Sequence, residues 1–330
     1  MAPSTLIVPL IVGLLAFWMG YSVNQGGTCA VATASELAKG RRPRRLVGLV
    51  AASATAALAA IALQAMGAPL TERMPHIELS WGLLAAGMVF GVGALINDAC
   101  LLGSLSRFGS GEMRVLALPV GLVLGFAISE RLGSPTPALA PPPDVPAPGV
   151  IVLLAGWLTV LVIALAYVGR GPSRDLERRK WPLRRTMIML GLSGGTLCLI
   201  APIWSYTDLA RDLFTRRLVG PVDGLAVLAV TATVAGAIAS AARRRRWRYR
   251  RPTFVLVGRT ILGGALMGMG ASLIPGGNDA LVLAAIPALS LGGAVAYLTM
   301  TATMVAGLFL VRRFKQTRGP GPGPGPAPAV

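Results

Sequence analysis

The chain has 330 residues, of which 54% are apolar and only 13% charged, yet its net charge is +18. Soluble domains of that length would lack the charged residues needed to cover their surfaces. The charges are gathered in short runs between apolar stretches about 20 residues long, the length that crosses a bilayer as helix. The composition therefore excludes an ordinary soluble protein and points to a polytopic membrane protein.

In chain order, apolar stretches of spanning length cover residues 5–23, 46–66, 79–96, 113–130, 150–168, 186–203, 221–241, 254–274 and 289–311. The first has no basic residues ahead of it and an Arg cluster behind it. It reads as a retained helix, not a secretory signal. Of the 31 basic residues, 23 fall in 39–45, 170–185, 243–251 and 312–318, all flanking apolar spans. Such runs mark cytoplasmic loops. Nine spans put all four on one side only with the N-terminus outside and the C-terminus cytoplasmic. The same placement explains the positive charge without nucleic acid, with some attraction to anionic lipid heads. Residues 71–78, holding the only histidine, His76, and the Pro-rich link 134–148 are then external. The Gly-Pro tail 319–328 is expected to be disordered.

Four segments too short to cross lie beside the spans: 26–37, 97–105, 205–213 and 278–286. Each is led by Gly, Ser, Asn or Asp, residues that end one helix and cap the next. Backbone broken within a membrane must be buried in protein or line a wet cavity. Four such breaks at matching positions predict short re-entrant helices. The fold class is thus all-α, with about nine transmembrane helices, four short broken helices and an internal repeat.

The repeat is visible in the residues. Gly87, Gly91, Gly93 and Ala94 match Gly264, Gly268, Gly270 and Ala271 at the same spacing. Asn97-Asp98-Ala99 matches Asn278-Asp279-Ala280 after a four-residue insertion. More faintly, Gly26-Gly27-Thr28 with Cys29 matches Gly194-Gly195-Thr196 with Cys198. The expected organisation is a first four-span repeat over 1–131 and a link, connecting span and basic loop over 132–185. A second four-span repeat over 186–312 and a tail over 313–330 complete it. The odd span between the repeats inverts the second. In inverted-repeat transporters the substrate site lies near the midplane, at discontinuous helices.

Helix N-termini aimed at the midplane suit an anion. Asp98 and Asp279 stand where such helices are expected to begin, as caps or as functional carboxylates. Arg107, Arg211 and Arg259 are their candidate partners. Cys29 and Cys100 each lie just inside a broken segment, where a thiol offers a weak S–H donor and a polarizable sulfur. Cys198, within an apolar run, reads as a small apolar filler. Three cysteines with no metal-ligand spacing indicate neither a disulfide framework nor a metal site. One external histidine leaves no Ser/His/Asp grouping, and no phosphate-cradling Gly loop ends in Lys-Ser or Lys-Thr. We expect no enzyme activity, no cofactor and no ATP-driven motor.

Several motifs resemble the YeeE/YedE family of membrane proteins with a sulphur-transport domain. They are Gln25-Gly-Gly-Thr-Cys-Ala-Val-Ala32, Gly87-Met-Val-Phe-Gly-Val-Gly93, Asn97-Asp-Ala-Cys-Leu-Leu-Gly103 and Arg107-Phe-Gly-Ser-Gly-Glu112. Trp204-Ser-Tyr206, Gly263-Gly-Ala-Leu-Met-Gly-Met-Gly-Ala271 and Pro275-Gly-Gly-Asn-Asp279 continue the likeness. The resemblance implies an hourglass-shaped protein of a bacterial plasma membrane that passes thiosulfate inward along thiols at a narrow waist. Cys29 and Cys100 match the first and second family cysteines. Gly277 stands where the family has the third, and Asn278 follows it as a candidate substitute contact. The implied substrate-binding set is Cys29, Cys100, Asn97, Asn278, Gly277 and Thr28. The implied partners are a thiosulfate-like anion, the bilayer and a small cytoplasmic sulfurtransferase. The other functions weighed are a scaffold for such a sulfurtransferase and a channel for another small anion.

Overall fold

A computed structural model describes residues 4–26, 28–67, 76–133, 139–140, 147–170, 180–201, 203–215, 223–274 and 276–317. The expected tail 319–328 lies outside these residues, as do most of the loop 71–78 and of the Pro-rich link 134–148. Among the described residues, nine helices are long and apolar enough to cross a membrane.

The helices are α1 Ser4–Gln25, α2 Ala30–Ala38, α3 Arg44–Ala65, α4 Trp81–Asn97, α5 Leu101–Gly109, α6 Leu118–Arg131 and α7 Ala147–Gly169. After the connecting loop come α8 Leu183–Ile200, α9 Tyr206–Thr215, α10 Gly224–Arg243, α11 Phe254–Leu273, α12 Asn278–Ala280 and α13 Leu291–Thr317. A 3-10 turn, Met113–Ala117, leads into α6, and a π-helical turn, Leu281–Ala285, follows α12. Polar residues set three of the starts. The side chains of Ser80, Asp223 and Thr253 accept from the backbone N–H of Leu83, Leu225 and Leu256, as N-caps do. Two short strands, β1 His76–Ile77 and β2 Leu139–Ala140, pair antiparallel and tie the expected external segments together. The backbone of His76 is therefore held in a ladder, where the sequence suggested only a solvated loop.

Each half of the chain packs against the other in matching pairs. α1 lies on α10 and α3 on α8, while α6 packs on α11 and α13 on α4. The glycines of the repeated motif are at these crossings. Gly87 and Gly91 face the backbone of α13, at Ala296 and Met300, whereas Gly264 and Gly268 face α6, at Leu118 and Leu122. Gly93 meets Gly263 on α11 and Gly270 meets Ala86 on α4. Small residues allow membrane helices to approach backbone to backbone, gaining dispersion contacts where no hydrophobic drive separates protein from lipid. Position by position, the motif does the same work in both halves.

The outer surface is apolar, with Leu10, Ile151, Val152, Ile163 and Val255 among the exposed side chains. α7 is the most lipid-facing helix and packs chiefly on α3. One basic residue behaves differently from its neighbours. Arg244 is buried at the end of α10 and donates to the backbone carbonyl and the side-chain oxygen of Asn24, at the end of α1. Arg246 in the same basic run is exposed. Hydrogen bonds to a buried charge are worth about 2–3 kcal/mol. Arg244→Ala should lower the thermal midpoint of the purified protein, while Arg246→Ala leaves it within error, as read by a detergent thermal-shift scan.

Candidate functional site

The short helices begin at one place. Cys29 precedes α2 and Cys100 precedes α5, both in extended backbone, while Gly277 precedes α12. Ser205 caps α9 in a reciprocal arrangement: its Oγ accepts from the Asp208 N–H at 3.1 Å and donates to Asp208 Oδ2 at 2.8 Å. The starts of α2 and α5 touch through their thiols. Cys100 Sγ donates to Cys29 Sγ at 3.5 Å and accepts from the Ala30 N–H at 3.1 Å. Tyr206 reaches across from the second half, its hydroxyl donating to the Leu101 carbonyl at 2.8 Å. A Cβ on Gly277 would also press against Leu101. Four helix beginnings, two from each half, therefore converge around Cys100 and Leu101.

Close approach here depends on glycine. A Cβ on Gly103 would collide with Cys29 Sγ and lie 2.9 Å from Cys29 Cβ, so this glycine lets α2 seat against α5. Gly277 has φ 80° and ψ −157°, a backbone region open in practice only to glycine. A thiol cannot be restored at 277 without rebuilding that turn. Gly277→Cys is expected to lower the thermal midpoint and to raise no transport rate above that of the parent, as measured by melting and uptake of the two proteins side by side.

The remaining residues of the expected set occupy distinct places. Asn97 is the last residue of α4, and its Nδ2 donates to the Ala99 carbonyl and to Ser104 Oγ, each at 2.9 Å. It fastens the break between α4 and α5 from within. Thr28 is buried, with its hydroxyl turned back to the Val23 carbonyl of α1 at 3.5 Å. Asn278 begins α12, buried, with its Oδ1 unpartnered among the described residues. Asp279 beside it is buried too, its Oδ1 equally unpartnered, and lines an apolar cavity with Ser205, Tyr206 and Trp204. Cys198 is buried within α8.

Asp98 does not begin a helix. It ends α4 in the left-handed conformation, φ 61°, and pairs with Arg107 at 2.8 Å. Arg107 is thus the one suggested partner found on a suggested aspartate. Arg211 instead donates to the Ser272 carbonyl and lies over the Phe126 ring. Gly194-Gly195-Thr196 sits inside α8, well before the start of α9, so Cys198 does not head a short helix as Cys29 does. Reasoning from the sequence expected a cap at Ser205, the head of the short segment 205–213, but did not single out Gly103. The Ser-x-x-Asp spacing of a capping box marks the first; no local pattern marks the second.

Among the described residues, nine helices of spanning length with short helices meeting between them make this a multi-pass α-helical membrane protein. A family model described as sulphur transport matches residues 25–306, and the chain belongs to this YeeE/YedE sulphur-transport family. Membership in this family points to transport of a sulfur compound. Among curated proteins, no match to the chain is found.

Proposed function

We propose that the chain takes up a small sulfur oxyanion, thiosulfate by preference, through the waist at Cys29 and Cys100. The single observation carrying this reading is the thiol pair, 3.5 Å apart at the N-termini of two short helices. An N-terminus offers free N–H groups and a positive dipole end. A neutral S–H adds a weak donor that can release a divalent anion, where a lysine would retain it. Asn278, with a buried free oxygen, fits a place beside the path, and Asn97 holds the break that presents Cys100.

The same reading takes 1–131 and 186–312 as oppositely inserted repeats, supported by the matched pairing of α1 with α10 and α3 with α8. The basic runs favour an N-terminus outside and a cytoplasmic C-terminus, and the family likeness favours a bacterial inner membrane. A small sulfurtransferase at the cytoplasmic face would be the natural acceptor of the delivered anion. The test is growth on thiosulfate as sole sulfur source in a host stripped of its own importers. Growth restored by the parent and by Cys198→Ala, but not by Cys29→Ala, supports the proposal; no restoration by the parent contradicts it.

A further inference from the structure

The basic run 243–251 is usually the kind of charge cluster that only fixes orientation. Here its backbone is ordered against the end of α5. The Arg248 N–H donates to the Ser110 carbonyl at 3.1 Å and the Arg250 N–H to the Gly111 carbonyl at 2.9 Å. Gly111 leaves room for this, since a Cβ there would strike the Arg248 carbonyl. Positive charges needed only for topology require no such stitching.

The stitched loop closes one wall of an open pocket of about 220 Å³. At about 30 Å³ per water, that is room for on the order of seven waters or a small hydrated anion. Its guanidinium groups come from Arg107, Arg114, Arg250, Arg251 and Arg259, and its carboxylates from Asp98 and Glu112. Glu112 is shared among Arg107 at 3.5 Å, Arg114 at 3.5 Å and Arg250 at 3.0 Å. Arg114, nearly buried, also donates to the Asn97 carbonyl and Thr260 Oγ1, both at 3.1 Å. Both carboxylates are paired, Asp98 with Arg107 and Glu112 with three arginines, whereas Arg251 and Arg259 have no hydrogen bond or ion pair among the described residues. Five positive groups against two negative leave the pocket short of anionic charge.

The pocket is close to the thiols. Arg107 is seven residues along α5 from Cys100, a rise of about 10 Å. Asp98, which holds Arg107 through both its carbonyl and its carboxylate at 2.8 Å, is two residues before Cys100. An anion leaving the waist on this side meets a guanidinium whose partner is half exposed and replaceable. We propose that this arginine pocket is a second binding site for a small tetrahedral oxyanion, in which the ion takes the place of Asp98 on Arg107 and is held by Arg251 and Arg259. The placement on a transport route rests on the proposed function; the binding itself does not. A lipid phosphodiester has the same chemistry, and the test separates the two sources.

The full chain is reconstituted in nanodiscs of phosphatidylcholine alone or with phosphatidylglycerol, and titrated calorimetrically with sodium thiosulfate and sodium sulfate. A Cys29→Ala, Cys100→Ala background removes both waist thiols, so that the remaining heat reports binding that does not need them. Hydrogen bonds to charged groups predict that Arg251→Gln with Arg259→Gln weakens binding about tenfold or more. Asp98→Asn, which removes the competing negative charge from Arg107, is expected to tighten it. Binding in neutral discs that follows this pattern supports the site, whether or not thiols prove necessary for uptake. Binding indifferent to both arginines, no binding in neutral discs, or retention of phosphatidylglycerol alone through those arginines overturns it.

Discussion

Gly103→Ala is expected to slow uptake about 10–100-fold while leaving all three thiols in place. The added methyl would collide with Cys29 Sγ, so either α2 or the thiol must move away. The S–H contact between Cys29 and Cys100 and the Ala30 N–H bond to Cys100 would be lost together. A hydrogen bond to a charged group is worth about 1.5–3 kcal/mol, so a waist lacking these donors should carry an anion about 10–100-fold more slowly. A merely unfolded variant would give the same flux. The monodispersity of the purified protein and alkylation of Cys29 by a small reagent separate the cases. The reading requires a folded protein with a more reactive Cys29; a folded protein with parental flux would refute it.

The second large effect concerns the fold. At the crossing of α1 and α10, a Cβ on Gly20 would fall on the Thr233 carbonyl, and one on Gly236 on the Phe17 carbonyl. Both helices present glycine to each other's backbone, so neither can retreat without opening the crossing. Overpacking in a tight core costs about 1–3 kcal/mol, and here a β-branched side chain meets backbone on both sides. Gly20→Val or Gly236→Val is expected to abolish a monodisperse peak in size-exclusion chromatography. Gly156→Val on lipid-facing α7, with open space beside it, should behave as the parent. Equal behaviour of all three would show that the crossing tolerates separation.

The spans were legible in the sequence because hydrocarbon thickness dictates their length and the basic runs bracket them. The paired Gly motif was legible for the same kind of reason: backbone contact between helices admits only small residues. The starts of α9 and α12 were legible to within a residue, but those of α2 and α5 were not. Asn97-Asp98-Ala99 and Asn278-Asp279-Ala280 are the same tripeptide, yet the first ends α4 and the second begins α12. The difference comes from where the left-handed residue falls. In the first copy Asp98 itself turns the chain, whereas in the second Gly276 and Gly277 have already turned it. Aligning the tripeptides therefore hides the correspondence that the turns create, which sets Cys100 opposite Gly277 as the residue before a short helix. Likewise the second Gly-Gly-Thr falls within an uninterrupted helix, because nothing in a tripeptide reveals whether a span continues. The buried role of Arg244 was hidden inside a basic run whose composition already had an adequate explanation in topology, and Arg114 stood alone at the head of an apolar span.

The central claim is that the anion passes at the thiols, and flux through purified protein tests it most directly. Proteoliposomes are loaded with the parent, Cys100→Ala or no protein, and uptake of sulfur-labelled thiosulfate is followed with and without excess unlabelled ion. The account predicts saturable uptake by the parent that the unlabelled ion suppresses, and uptake by Cys100→Ala at the protein-free level. Parental uptake by Cys100→Ala would contradict it.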